Sequence, residues 1–178
     1  VGLDLDQDGR SFAVLDVDGE GDPDLAVMAA RQAPQLRIFR NDFETDSTSI
    51  AVRLRGTASN RDAIGARVVI ETDRMRKSRF VQAGSGFLSQ HSKELLFGLG
   101  GSERIVSLTV DWPSGGTQRF TGLSLDTRVR IDEASPCGWA RSSAVLLLRA
   151  RRLSTRVRGG KPVSGLSAAL TVQSGNGS

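Results

Sequence analysis

The sequence predicts an all-β protein, and three observations point to this fold class. Short runs of apolar residues alternate with polar residues at the period of two that is typical of strands. Glycine-rich turns separate these runs at intervals of roughly 10 to 15 residues. The runs show no convincing long helical period, and this pattern favours an antiparallel sandwich or barrel.

Charge divides the 178 residues into three regions. Residues 1–48 carry 11 acidic and 4 basic side chains, residues 49–133 carry 13 basic and 9 acidic ones, and residues 134–178 carry 7 basic and no acidic ones. The overall charge of +4 therefore conceals an acidic head and a basic tail. Because the acidic charges repel one another, the head needs a compensating cation or an exposed position. Few aromatic residues are present, so we expect no nucleic-acid partner.

The head contains a predicted calcium loop between two apolar strands, at 12–15 and 25–27. Carboxylates stand at positions 1, 3, 5 and 9 of a nine-residue loop: Asp16, Asp18, Glu20 and Asp24. Calcium takes about six to eight oxygen ligands, and a glycine lets a tight loop converge on the ion. Gly21 supplies that freedom, and the main-chain carbonyl of Asp22 at position 7 is expected to add another oxygen. A solvated acidic turn is the alternative.

Two neighbouring interpretations have less support. An EF-hand is unfavourable because Val27 stands at position 12, where that loop has a glutamate, and because the flanks read as strands. A second acidic cluster at 4–9 opens in the same way but has Phe12 at its ninth position. We interpret it as an incomplete loop, a turn that lends one oxygen at most.

The middle of the chain, residues 47–133, is predicted to be a module of seven short strands. Arg53 between Val52 and Leu54 is a clear case, because side chains on a strand point alternately to the core and to water. The predicted strands are 50–55, 66–72, 77–83, 94–97, 104–112, 116–120 and 127–132.

The basic tail, residues 134–178, is predicted to be disordered, because a charged segment with little apolar surface cannot offset the entropy of ordering. A short helix around 140–153 and binding of anionic polymers are the alternatives that we consider for it. The longest apolar run, 144–148, is too short to span a bilayer as a helix, so no membrane insertion is expected. With Cys137 as the single cysteine, the chain can form no internal disulfide.

No catalytic residue is predicted. Ser89 and His91 are two residues apart, but this spacing does not specify a hydrogen bond and no third group orients them. Trp112 precedes a turn and is expected to be a core anchor. Together with Phe87 it is also the aromatic pair that we consider for carbohydrate binding.

Several stretches together resemble known families. The loop with its flanks, AVLDVDGEGDPDLAV at 13–27, resembles an FG-GAP or VCBS repeat. Four ordered motifs downstream resemble the ASPIC/UnbV module: SNRDAIGARV at 59–68, GSGFLSQ at 84–90, LFGLG at 96–100 and VDWPSG at 110–115. That module follows FG-GAP repeats in bacterial exported proteins and in proteins similar to cartilage acidic protein.

The resemblance implies a partial blade of an integrin-like β-propeller at 1–46, with calcium as its cofactor, followed by the module at 47–133. It implies a secreted, cell-surface or periplasmic protein that acts in adhesion or recognition of an extracellular protein or carbohydrate. A single blade cannot close a propeller, so further blades are expected before Val1 and the chain is expected to be a C-terminal piece. A polysaccharide-active enzyme is the rival function, for which the sequence shows no acid and base pair.

Overall fold

The computed structural model describes residues 8–30, 35–43, 46–134, 151–152 and 172–173. These residues contain strands, turns and bends but no helix, so the prediction of an all-β fold is confirmed for them. In particular, they include no helix that is long and apolar enough to cross a membrane.

The described residues form twelve strands, named β1 to β12 in chain order. Their bounds are Asp8–Leu15, Asp24–Ala30, Gln35–Phe39, Thr48–Arg55, Arg67–Thr72, Arg76–Phe80, Leu95–Gly100, Ile105–Asp111, Thr117–Phe120, Thr127–Asp132, Arg151–Arg152 and Val172–Gln173. They form three open sheets with the strand orders β1-β2-β3, β11-β10-β4-β7 and β12-β9-β8-β5-β6. All seven predicted strands of the module are found, β4 to β10, with ends that differ from the predictions by at most three residues.

The two larger sheets enclose one hydrophobic core. Alternate residues of most of these strands point inward, as in β4, where Ile50, Val52 and Leu54 are buried and Arg53 and Arg55 are exposed. Buried residues of β5, β7, β8, β9 and β10 and of the connecting segments add the rest of the core. Its largest fully buried side chains are Phe97, Phe120, Ile50, Ile70, Leu99, Leu108 and Ile131.

The pairing of β10 with β4 differs from the antiparallel expectation. The two strands run parallel, from Thr127 opposite Ile50 to Asp132 opposite Arg55. Parallel neighbours require a long crossover connection. Here the connection consists of β5 to β9, of which β5, β6, β8 and β9 belong to the opposite sheet. Local patterning cannot reveal this pairing because the partners lie 77 residues apart in the chain.

The first sheet, β1-β2-β3, is antiparallel and has little core of its own. Its third strand, Gln35–Phe39, was not predicted. Ala29 is its buried apolar residue, whereas Met28, Leu36 and Ile38 lie on one face and are 41%, 61% and 54% exposed. This sheet has three described strands and does not close.

Two dipeptides of the basic tail pair with the module. Arg151–Arg152 lies antiparallel to β10, and Val172–Gln173 lies antiparallel to β9. Most of the predicted disordered tail, most of the possible helix at 140–153 and most of the acidic cluster at 4–9 lie outside the described residues. Within 140–153, the described pair Arg151–Arg152 is a strand.

Candidate functional site

The acidic loop joins β1 to β2 at one end of the first sheet. Leu15 and Asp24 are directly paired, so the loop 16–23 leaves and re-enters the sheet at neighbouring positions. Gly19 and Gly21 have φ angles of 82° and 91°, a region that strains residues with a Cβ. These two glycines permit the turn that folds the loop back on itself.

The structure brings four of the five predicted ligands together. Each offers one carboxylate oxygen, and these oxygens lie within 4.8 Å of one another: Asp16, Asp18, Asp22 and Asp24. Glu20 is not part of this group. Asp22 was expected to contribute its main-chain carbonyl, but here its carboxylate joins the group.

Backbone amides hold the carboxylates at the two ends of the loop. Asp16 accepts hydrogen bonds from the amides of Gly19, at 2.7 Å, and Gly21, at 3.1 Å. Asp24 is 1% exposed and accepts hydrogen bonds from Val17, at 2.7 Å, and from Asn41, at 2.8 Å. The first and last acids of the loop are therefore fixed in orientation by the fold.

Asp22 differs from these two residues because its carboxylate is not satisfied. Its Oδ1 is buried and has no hydrogen-bond partner among the described residues. Burial raises the pKa of Asp22, and the negative charges of Asp24, Asp18, Asp16 and Glu20 raise it further. A buried acceptor surrounded by like charges costs free energy unless a cation or a donor reaches it.

The donor set fits calcium. All four grouped side chains are carboxylates, and hard divalent cations prefer oxygen ligands. A carboxylate has about four lone-pair sites, so Asp16 and Asp24 retain acceptor capacity beside their backbone hydrogen bonds. Asp22 would hold the ion through the oxygen that otherwise has no partner.

Two arginines lie against this loop. Arg128, on β10 of the module, donates a hydrogen bond from Nη2 to Oδ2 of Asp16. Arg40 lies beside the loop, with Nε 2.7 Å from Oδ1 of Asp42 and 3.8 Å from Oδ2 of Asp18. The sequence had indicated no role for either residue.

The first sheet also touches the module beside the loop. The amide of Ser92 donates to the carbonyl of Val14 at 3.0 Å, and the amide of Val14 donates to Nδ1 of His91 at 3.3 Å. The ring of His91 lies 5.3 Å from that of Phe12. His91 therefore has the structural role that the sequence favoured over a catalytic one.

Residues 56–136 match the family described as ASPIC and UnbV. The chain contains an ASPIC/UnbV domain. This match begins after the acidic loop, so the interpretation of 13–27 as a repeat stays a prediction. No curated protein matches the chain.

The ASPIC/UnbV domain contains a buried carboxylate that the sequence analysis missed. Glu133 follows β10, is 6% exposed and accepts hydrogen bonds through Oε2 from three successive amides. Its Oε1 accepts hydrogen bonds from the hydroxyls of Ser59, at 2.8 Å, and Ser114. The three amides that donate to Oε2 are those of Thr57, Ala58 and Ser59, at distances of 2.8, 2.9 and 2.7 Å.

This arrangement lowers the pKa of Glu133 to about 2. Burial alone raises this pKa, but the hydrogen bonds from Ser114, Ser59 and Thr57 favour the charged form and outweigh burial. The carboxylate joins the end of β10 to the loop after β4 and to the turn after β8. It is a structural anchor whose partners come from two other parts of the chain, residues 57–59 and Ser114.

The motif 84–90 of the ASPIC/UnbV domain forms a loop that is tied by its own side chains. The amide of Gly84 donates to Oε1 of Gln90 at 2.6 Å, and the hydroxyl of Ser89 donates to the carbonyl of Ser85 at 3.0 Å. At the tip, Phe87 is 67% exposed and Leu88 is 83% exposed. Leu88 has a φ of 52°, unusual for a residue with a Cβ.

The other aromatic candidate, Trp112, lies in the core. It is 4% exposed, and its indole N–H donates to Oε1 of Gln118. The structure therefore does not pair Trp112 with Phe87 as an exposed stacking surface, because burial leaves the indole no free face. Trp112 is the core anchor that the sequence favoured.

Arg128 and Glu133 could not be found from local sequence patterns. Arg128 looked like an ordinary polar position of an alternating strand, and its contact with Asp16 spans 112 residues. Thr57, whose amide donates to Glu133, lies 76 residues away from it in the chain.

Proposed function

We propose that this chain is a non-enzymatic, calcium-stabilised recognition module of a secreted, surface or periplasmic protein. The observation that carries the calcium part is the buried Oδ1 of Asp22, which has no partner within a group of four carboxylates. A bound calcium ion would supply positive charge where the loop has an excess of negative charge. The role of the ion is structural: it ties together a sheet that has little core.

The weak core of the first sheet also supports its interpretation as part of a propeller blade. Propeller blades typically contain four strands and pack their faces against neighbouring blades. The exposed face with Met28, Leu36 and Ile38 suits such a neighbour. We propose that further FG-GAP or VCBS blades of the same protein cover it, in the arrangement that the sequence resemblance implies.

Recognition is assigned to the tip of the loop 84–90. Phe87 and Leu88 place two apolar side chains in solvent on a loop that is already ordered by internal hydrogen bonds, so binding would cost little conformational entropy. The positive φ of Leu88 is a strained conformation of the kind that often occurs at functional sites. The ligand class is an extracellular protein or a carbohydrate.

Two acids of the domain that a polysaccharide-active enzyme would have to use, Glu94 and Asp111, have structural partners. Glu94 pairs with Arg128 at 3.0 Å, and Asp111 accepts a hydrogen bond from Thr117 at 3.0 Å. Both carboxylates take part in contacts that stabilise strands. These contacts favour a binding module over a glycosidase.

Calcium binding is tested by titration calorimetry and thermal melting of the full chain. Extracellular calcium modules bind with a Kd of about 10⁻⁴ to 10⁻³ M. At a calcium concentration of about ten times the Kd, binding stabilises the fold by about 1.4 kcal/mol and raises the Tm by about 3 to 6 °C. We expect about one ion per chain and a larger effect for calcium than for magnesium.

Asp16→Ala/Asp18→Ala removes two ligands and is expected to abolish binding, whereas Asp111→Asn removes a distant carboxylate and is expected to bind as the wild type does. A calcium response that survives in Asp16→Ala/Asp18→Ala would place the ion elsewhere. The absence of binding to the wild type at several times 10⁻³ M would refute the calcium part of the proposal.

Recognition is tested on a glycan array with the wild type, Phe87→Ser and Phe80→Ser. Phe80 is 53% exposed but lies on β6, outside the loop. Binding that Phe87→Ser removes and Phe80→Ser retains would support a carbohydrate ligand at the loop. Equal binding by all three proteins would rule out the tip as the site.

A further inference from the structure

Arg128 bridges the acidic loop and the ASPIC/UnbV domain. From β10, its Nη2 donates to Oδ2 of Asp16, and its Nε lies 3.0 Å from Oε1 of Glu94. The side chain of Asp16 is 5% exposed, that of Glu94 is 16% exposed and that of Arg128 is 32% exposed. Two largely buried carboxylates from different regions therefore share one guanidinium.

The guanidinium also lies directly on the loop backbone. A Cβ built on Gly19 would be 3.2 Å from Nη1 of Arg128, so a larger residue there would press on the arginine. Asp16 in turn accepts the amides of Gly19 and Gly21, which shape the loop. The position of Arg128 is thereby linked to the shape of the loop through a single carboxylate.

We infer that Arg128 is a positioning residue that docks the acidic loop on the module and opposes a cation bound in the loop. The docking half stands on the contacts alone, and the calcium half rests on the proposed function. A calcium ion held by Asp16 would share that carboxylate with the guanidinium, and two positive charges at such a distance repel each other. By linkage, the ion weakens the Arg128 contact as much as Arg128 weakens ion binding.

The variants are Arg128→Gln, Arg128→Lys and the matched control Arg130→Gln. Arg130 lies two residues away on the same strand and pairs with Asp132 at 3.2 Å, but its side chain is 49% exposed. Lysine keeps the charge but lacks the planar fork that reaches two carboxylates at once. Arg128→Lys is therefore expected to retain only part of the docking effect.

The docking half is measured as the unfolding equilibrium of the full chain in urea with EDTA present. Arg128→Gln leaves Asp16 and Glu94 without their cation and is expected to raise the unfolding equilibrium constant about tenfold, less than for a fully buried pair. Arg128→Lys should lie between Arg128→Gln and the wild type, and Arg130→Gln should match the wild type. An Arg128→Gln chain as stable as Arg130→Gln would overturn the docking role.

The calcium half is measured by calorimetric titration with CaCl₂. Arg128→Gln is expected to bind calcium at least about fivefold more tightly than the wild type, since coupling between two sites typically changes affinity by at least this factor. A purely structural arginine would leave the Kd unchanged or, through loop disorder, raise it, and either result overturns the opposition. If Arg128→Gln does not fold, Arg128→Lys is titrated instead; it is expected to bind calcium more tightly than the wild type, though by less than about fivefold, and an unchanged Kd overturns the opposition.

The two halves fail in distinguishable ways. If the wild type binds no calcium, the proposed function and the calcium half are both wrong, while the urea experiment in EDTA still decides the docking role. If the wild type binds calcium and Arg128→Gln binds it no more tightly, the proposed function stands and the opposition by Arg128 is wrong.

Discussion

The first sheet and the ASPIC/UnbV domain are stabilised by different kinds of contact. In the domain, two sheets enclose a core whose largest side chains are fully buried. In the first sheet, Ala29 is the buried apolar side chain among the described residues, and Asp24 is the buried carboxylate of its acidic loop. The domain therefore depends on the hydrophobic effect, whereas the first sheet depends on hydrogen bonds, charge and its neighbours.

The two regions also treat buried carboxylates in opposite ways. Glu133 in the domain is surrounded by hydrogen-bond donors, and its pKa falls to about 2. Asp22 in the loop is surrounded by other carboxylates, and its pKa rises. The donors around Glu133 make it a structural anchor, whereas the unpartnered oxygen of Asp22 lies among acids that could hold a cation together.

Truncating a phenylalanine in each region should give the largest difference between the two losses in the free energy of unfolding. Phe97→Ala removes a side chain that is 0% exposed and is expected to cost about 3 to 5 kcal/mol, because it loses burial and leaves a cavity. Phe43→Ala removes a side chain that is 79% exposed and should change the free energy of unfolding by less than about 0.5 kcal/mol. Urea unfolding measures both. Equal losses would show that the two regions share one core.

Converting a carboxylate to its amide should change stability in opposite directions in the two regions. Glu133→Gln is expected to cost about 3 kcal/mol at pH 7, the value of the pKa shift from 4.5 to about 2. Asp22→Asn in EDTA is expected to raise the Tm, because it removes one repelling charge and supplies donors. Thermal melting of both variants checks these signs.

The Glu133 effect should also depend on pH. Because folding depresses this pKa, the carboxylate contributes its full stability above about pH 4.5 and loses it as the pH falls from 4.5 to about 2. The stability gap between the wild type and Glu133→Gln should therefore shrink across that range. Glu103→Gln, whose side chain is 81% exposed, is the control and should show no such gap at pH 7.

The strands of the domain were predictable because burial of one face imposes a period of two on the sequence. The grouping of acidic side chains in the loop was also predictable, because they lie within nine residues of one another. The contact of Arg128 with Asp16 and the amides that donate to Glu133 were not predictable, since these partners lie more than 70 positions away in the chain. The parallel pairing of β4 with β10 escaped prediction for the same reason.

The strand β3 was missed for a different reason. Gln35–Phe39 has the alternation of a strand, with Leu36 and Ile38 on one face and Arg37 between them. It is short, and its apolar residues are exposed rather than buried, so the region lacks the strong apolar run that marks the strands of the domain. A strand that packs only on its neighbour leaves a weak signal.

Adding a methyl group to a glycine in each region should give a smaller difference in the free energy of unfolding. A Cβ on Gly56 would lie 2.1 Å from the carbonyl oxygen of Asn60, a backbone atom that cannot easily move. Gly56→Ala is therefore expected to cost about 1 to 3 kcal/mol through overpacking. Gly9→Ala, on β1, has no atom within 4 Å of its new Cβ and should be neutral or slightly stabilising in urea unfolding.

The smallest expected difference comes from removing one methylene group from an isoleucine in each region. Ile50→Val acts on a side chain that is 0% exposed and should cost about 0.5 to 1.5 kcal/mol. Ile38→Val acts on a side chain that is 54% exposed and should cost less than about 0.5 kcal/mol in the chain alone. If Ile38→Val costs as much as Ile50→Val, the face of the first sheet is already covered within this chain. That result would remove the argument that a neighbouring blade is needed to cover it.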